Sequence, residues 1–289
     1  MVITLALAAA MTYGVADFLG GAAARHASAL KALVWAVPAG MALILASALA
    51  VGGTPAAPAL AWGAGAGLAG GAGLITFYRA LAQGPMSVVA PVSALAASLL
   101  PIAVGVARGE RLEPGVLAGV LLCLVAIVLV SMEKSEEADV PAGRGPLANG
   151  PLMAGVSGVL FGIFFILLKQ AGDGAGLWPL VGARLGNLAA VAAALLALAL
   201  LRPGTAGPRL RGRLPIGLAL LSGALDATAN ILYFLAVNAG MLSLAAVLTS
   251  LYPAITVLLA RIAYSERLRT VQRLGLVIAA AGVTLVTVG

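Results

Sequence analysis

Ten stretches of about twenty residues, each nearly free of charge, follow one another along almost the whole chain. They run near 2–23, 31–51, 59–82, 86–107, 114–131, 150–169, 177–201, 214–237, 241–263 and 270–288. A helix rises 1.5 Å per residue, so about 20 apolar residues cross the roughly 30 Å hydrocarbon core of a bilayer. The runs are continuously apolar rather than alternating, which selects helices over a β-barrel. The first run is too long, and with Asp17 and Arg25 too polar at its end, for a cleaved signal peptide. The chain therefore reads as an all-α integral membrane protein of ten transmembrane helices.

Composition excludes the alternatives. Of 289 residues, 62 % are hydrophobic and only 9 % charged, with a mean hydropathy of +1.10. An average soluble domain has roughly a quarter of its residues charged, and needs them to hydrate its surface. An ordinary soluble enzyme, a disordered tail and a nucleic-acid binder are thereby ruled out. The net charge of +7 comes from basic residues in the short loops between apolar runs, as in inner-membrane proteins. The single cysteine, Cys123, allows neither an internal disulfide nor a cysteine metal site, and the single histidine, His26, argues against zinc. His26 falls in the first loop, where a solvated role is expected. No GxxxxGK[ST], HExxH, GxSxG or paired-aspartate motif occurs, so no cofactor is expected and ATP does not drive the chain directly.

Residues 132–149, MEKSEEADVPAGRGPLAN, form the only long charged, Pro/Gly-rich stretch and divide the chain into 1–131 and 150–289, each with five runs. The halves resemble each other. At an offset of 156, Ala80, Gly84, Ser87, Ala90 and Leu95 meet Ala236, Gly240, Ser243, Ala246 and Leu251. Glu110-Arg111-Leu112 meets Glu266-Arg267-Leu268, and Gly119 meets Gly275. Matches of alanine on alanine are cheap here, but the chain has only ten acidic residues, so the Glu-Arg-Leu coincidence carries weight. An odd number of spans per repeat inverts the second half relative to the first. Two inverted five-helix repeats around a central cavity are a transporter architecture, with the substrate near the midplane.

A charge at the centre of a membrane helix costs at least about 2.5–3.5 kcal/mol on insertion scales, so such charges mark function or a specific partner. Asp226 lies midway along the eighth run, with Asn230 at i+4 and Tyr233 at i+7 on the same helix face. A carboxylate, an amide and a phenol on one stripe suit an ammonium group or a proton; the same three also suit a polar knot tying neighbouring helices. Asp17 lies in the first run, with Tyr13 at i−4, near enough to the span's end to reach interfacial water. Arg184, in the seventh run with Asn187 at i+3, suits an ion pair with Asp226 or Asp17 as well as a substrate carboxylate. Lys169 and Arg79 sit near span ends, where they can snorkel to the headgroups.

Among the aromatics within spans are Phe77, Tyr78, Phe161, Phe164, Phe165, Phe234 and Tyr252; a cavity lined by such rings suits an aromatic group or an organic cation, and packing is the alternative for each. Trp35, Trp62 and Trp178 read as interfacial anchors. Gly63, Gly67 and Gly71, and Gly158 and Gly162, recur at helical spacing and point to close helix contacts. Pro91, Pro101 and Pro253 interrupt the fourth and ninth runs, free backbone carbonyls, and are candidate hinges.

With these residues in view, the chain resembles the EamA family of the drug/metabolite transporter superfamily. The resemblance is carried by the ten runs, the duplicated halves, and the pattern aromatic–aromatic–x–Ala … Pro … Glu-Arg-Leu … Gly over 77–130 and 233–286, with Tyr13-Gly14 and Phe161-Gly162 beside it. It implies two EamA-like repeats, a cavity lined by the first, third, fourth, sixth, eighth and ninth spans, and peripheral fifth and tenth spans. It implies a secondary carrier, often an exporter of amino acids or other small metabolites. The family's ninth-span proline matches Pro253, whereas its fourth-span counterpart is Ala97, with Pro91 and Pro101 to either side. Orientation is contested. Thirteen basic residues fall in odd loops and three in even loops, which puts both termini outside; the resemblance implies both inside.

The expected function is a secondary transporter moving a small polar or amphipathic metabolite, of the amino acid or organic cation class, by alternating access. Export is the direction the family suggests. The alternatives are import or proton symport of a small cationic metabolite, and a membrane-embedded lipid-modifying enzyme. The expected partners are a small-molecule substrate, the lipid bilayer and protons as a candidate coupling ion, in a monomer or homodimer. Alanine and glycine usage suggests a bacterial source, hence a plasma (inner) membrane.

Overall fold

The computed structural model describes residues 1–83, 86–109, 113–131, 150–172, 174–201, 210–240, 242–249, 251–264 and 270–288. The stretch 132–149 and both Glu-Arg-Leu motifs lie outside the described residues. Eleven helices are found among the described residues, and no strand. They are α1 (Val2–Arg25), α2 (Ala29–Val51), α3 (Ala57–Gln83), α4 (Met86–Ala107), α5 (Pro114–Ser131), α6 (Gly150–Gln170), α7 (Trp178–Leu201), α8 (Arg213–Asn238), α9 (Leu242–Thr249), α10 (Tyr252–Tyr264) and α11 (Thr270–Val288). Each lies over one of the apolar runs, except that the ninth run holds two helices. Six helices are long and apolar enough to cross a membrane among the described residues, and shorter apolar helices accompany them.

Local signals set the ends. Ser28 caps α2, its hydroxyl accepting from the Lys31 amide at 3.4 Å. Gly52 ends α2 at φ +84°, in the left-handed region that glycine enters without a Cβ clash. His26 ends α1, exposed, with its Nδ1 2.8 Å from the Ala22 carbonyl.

In the ninth run α9 ends at Thr249 and α10 begins at Tyr252, with Leu251 in a turn. Pro253 is the second residue of α10, where a backbone N–H would have no intrahelical acceptor, so proline fits there without loss. The fourth run differs from expectation. It contains Pro91 and Pro101, yet α4 runs through both as one helix. Proline is tolerated in membrane helices where neighbours absorb the freed carbonyl. Pro101 frees the Ala97 carbonyl, which lies beside Gly162 on α6.

The most extensive helix contacts join the first five helices to the rest: α3 with α7 and α6, α1 with α8, α5 with α11, α4 with α6, and α2 with α8. Glycine makes them possible. A Cβ at Gly67 would run into the Ala183 carbonyl, and one at Gly63 into that of Pro179, so α3 lies backbone to backbone on α7. Gly182 and Gly186 answer from α7 against Leu60 and Ala64. Gly158 and Gly162 seat α6 on α4 in the same way. In lipid, where apolar burial drives little, such close van der Waals contact is what holds helices together.

Hydroxyls add a second kind of contact. Ser222 donates to the Ala16 carbonyl at 2.8 Å and lies 2.9 Å from the Tyr78 hydroxyl, tying α8, α1 and α3. Thr256 donates to the Gly14 carbonyl at 3.1 Å, and Ser93 and Ser157 share a bond of 2.9 Å. The outer surface is aliphatic: Leu200 and Ile262 are both 71 % exposed and Val277 66 %. Such a surface suits hydrocarbon, not water.

Candidate functional site

Helices from both halves of the chain converge on one partly open cavity. Its wall is apolar and aromatic, with a few polar groups. Tyr13 and Asp17 come from α1, Asp226 and Asn230 from α8, Asn187 from α7, and Tyr252 from α10. Phe161, Phe164 and Phe165 of α6 supply rings, while Gly70, Leu74 and Ala97 complete the wall from α3 and α4.

Helical spacing explains who shares the wall. Tyr13 and Asp17 are one turn apart on α1, as are Asp226 and Asn230 on α8. Phe161, Phe164 and Phe165 follow the i, i+3, i+4 pattern on α6. Gly70 gives room on α3, where a Cβ would meet the Phe164 ring. The cavity thus draws on α1, α3, α4, α6, α8 and α10, with Asn187 adding α7; none of its lining residues comes from α5 or α11.

One ion pair organises the polar side. Arg184, buried on α7, donates through Nη2 to Asp226 Oδ2 at 2.5 Å. The Arg184 side chain is 3 % exposed and that of Asp226 16 %. A buried guanidinium needs such a partner, since an unpaired charge there is prohibitively costly. The Asn230 amide donates to the Asp226 backbone carbonyl at 2.7 Å, turning back onto its own helix rather than onto the carboxylate. Arg184–Asp226 is the one salt bridge among the described residues. Asp17 therefore faces the cavity 9 % exposed, with no salt-bridge partner among them.

The residues singled out in the sequence fall into three groups. Tyr13, Asp17, Asp226 and Asn230 line the cavity, and Arg184 holds Asp226 from behind. Phe77 and Tyr233 lie behind the wall, each stacked on a lining ring: Phe77 edge-on to Phe161 with centroids 5.8 Å apart, Tyr233 on Phe165 at 4.4 Å. Tyr78 is buried against Ser222, away from the cavity. Lys169 donates to the Val237 carbonyl at 2.7 Å, near the end of α8. Trp178 donates to Gly53 at 3.2 Å, while Trp35 and Trp62 face outward. Two wall residues carried little signal in the sequence. Asn187 showed only as the i+3 neighbour of Arg184, and Tyr252 as one more aromatic; its ring stands 6.2 Å from that of Tyr13. The buried Tyr13 hydroxyl and the Asn187 Oδ1 have no hydrogen-bond partner among the described residues.

An all-helical bundle with an aliphatic outer surface and several helices long and apolar enough to cross a membrane fits a multi-pass membrane protein. Residues 148–288, just under half of the chain, match the EamA-like transporter family. A protein of known crystal structure has the same fold, with a TM-score of 0.71 and 21 % identity over 99 % of this chain and 96 % of that one. No curated protein matches the chain.

Proposed function

We propose that the protein is a secondary carrier that moves a small polar or amphipathic metabolite, of the amino acid or organic cation class, across a bacterial plasma membrane by alternating access, in the direction of export. The observation that carries this reading is the cavity itself: a ring-lined space between helices of both halves, lined by the carboxyls of Asp17 and Asp226, the latter paired with Arg184. Charges at that depth are costly and mark a solute or proton pathway. Transport needs no cofactor in this scheme; binding at Asp17 or Asp226 of a proton, or of the solute, is the coupling step.

The reading includes ten membrane crossings arranged as two inverted five-helix repeats, 1–131 and 150–289, with 132–149 as linker. Helix pairing supports it. The contact of α1 with α8 has its mate in α6 with α3, and α3 with α7 has its mate in α8 with α2. Paired positions behave alike. Tyr13 and Phe161 both line the cavity, and the glycine after each packs against the fourth-position helix of the other half. Ser93 and Thr249, at the offset of 156, bond α6 and α1 respectively. Under this scheme the break before Pro253 and the prolines of α4 are the hinges of the two gates.

Counterflow in proteoliposomes tests the reading. Vesicles holding the protein and preloaded with a panel of unlabelled cations, zwitterions and neutral solutes should accumulate a labelled member of one class transiently, above empty vesicles. Absence of counterflow for every class would refute a carrier.

A further inference from the structure

One of the two carboxyls at the cavity has no cationic partner among the described residues. Arg184 is buried and committed to Asp226, so this pair contributes no net charge. Lys169 is bound to the Val237 carbonyl, and Arg79 is exposed at the far end of α3. Asp17 is left: nine-tenths buried, aimed into the cavity, and without a salt bridge among the described residues. Around it stand the rings of Tyr13, Tyr252, Phe161, Phe164 and Phe165. Ring faces attract cations, and they repel anions by the same quadrupole.

We propose that the ligand of this cavity is an organic monocation with an apolar body, its positive centre paired with Asp17 and its body held by the ring wall. This rests on the carrier reading above and narrows its substrate class. A zwitterionic amino acid fits less well. Its carboxylate meets no Lys or Arg among the described lining residues, and Arg184 would first have to leave Asp226, exposing a buried charge on each side. A neutral solute makes no ion pair with the Asp17 carboxylate.

The test uses full-length protein and three probes with a common benzyl group: benzyltrimethylammonium, phenylalanine and N-acetylphenylalaninamide. Dissociation constants are measured by titration calorimetry in detergent, and each probe is then followed by counterflow in vesicles. The cation should bind about tenfold or more tighter than the neutral amide, because its charge attracts the Asp17 carboxylate and the amide carries none. Asp17→Asn should abolish that ratio and Asp17→Glu restore it. Asp226→Asn frees Arg184 to pair with Asp17 and should also lower the ratio. Arg184→Gln raises it, and Arg184→Gln with Asp226→Asn leaves the cavity one negative charge and keeps the preference for the cation.

The double variant keeps the proposal falsifiable should Asp17→Asn fail to fold, as judged by size exclusion. Phenylalanine binding tighter than the cation, a ratio indifferent to Asp17 or lost in the double variant, or no binding of the cation would overturn the proposal. Binding of the cation through Asp17 without counterflow of any probe would overturn the carrier reading and leave the ligand class standing. Counterflow of phenylalanine or the amide alone would do the reverse.

Discussion

Arg184 is the residue on which the polar side of the cavity depends. Removing one partner of a buried ion pair leaves the other charge uncompensated, at a typical cost of about 3–5 kcal/mol. Arg184→Gln should therefore lower the midpoint of thermal unfolding in detergent, with Asp226→Asn in the same chain recovering most of the loss. A pair that contributed only surface charge would show neither effect. Tyr78 is a contrasting case. Its hydroxyl bonds Ser222, which keeps its own bond to the Ala16 carbonyl without it. Tyr78→Phe should cost only about 0.6–1.7 kcal/mol, the range of interhelical hydrogen bonds in a bilayer, and leave solute binding unchanged. Both residues stood out in the sequence, one as an intramembrane charge and the other as an aromatic before a repeated alanine. Their roles could not be separated there, because a role is fixed by what lies across the gap to the next helix.

At the scale of the element, the glycines divide by what faces them. Gly67 sits on the Ala183 carbonyl of α7, whereas a Cβ at Gly65 would make only an ordinary contact with Leu167 at 4.0 Å. Gly67→Ala should push α3 off α7 and destabilise by about 1–3 kcal/mol, as overpacking does. Gly65→Ala should be neutral, and Gly155→Ala, with open space before it, should stabilise α6 by about 0.5–1 kcal/mol through helix propensity. Thermal unfolding of the three variants side by side measures this. The stripe Gly63, Gly67, Gly71 was legible from its four-residue spacing; that α7 is the helix it meets was not. Proline shows the same divide. Its presence in the fourth and ninth runs was plain, but α4 continues through Pro91 and Pro101 while the ninth run splits before Pro253. Whether a proline breaks a helix depends on what surrounds the freed carbonyl, and at Ala97 that is the close packing of Gly162 on α6.

At the scale of the whole molecule, the largest helix contacts cross between 1–131 and 150–289 rather than staying within either. Each part buries its glycine faces on the other, and the cavity wall needs both. The chain cut within 132–149 should therefore reassemble when the two pieces are co-expressed and co-purify as one complex, while either piece alone aggregates or is degraded. Affinity capture of a tag on one piece, with the other followed by mass spectrometry, reads the result. A stable isolated half would show that the contact between halves is dispensable to the fold.

By itself the sequence determined the properties that depend on residues near one another along the chain. Runs of about twenty apolar residues become helices suited to a bilayer because length and hydropathy are local. The placement of Asp226 with Asn230, and of Tyr13 with Asp17, each on one face, follows from spacing alone. Only the tertiary structure decided which charges cancel. Arg184 stands 42 residues from Asp226 and 167 from Asp17 in the sequence, and was a fitting partner for both. The packing of α7 gives it to Asp226, and so leaves Asp17 as the cavity carboxyl with no salt bridge among the described residues. The reason is Coulombic: at membrane depth an ion pair counts only at contact distance, and contact is set by how helices from opposite halves are seated on one another.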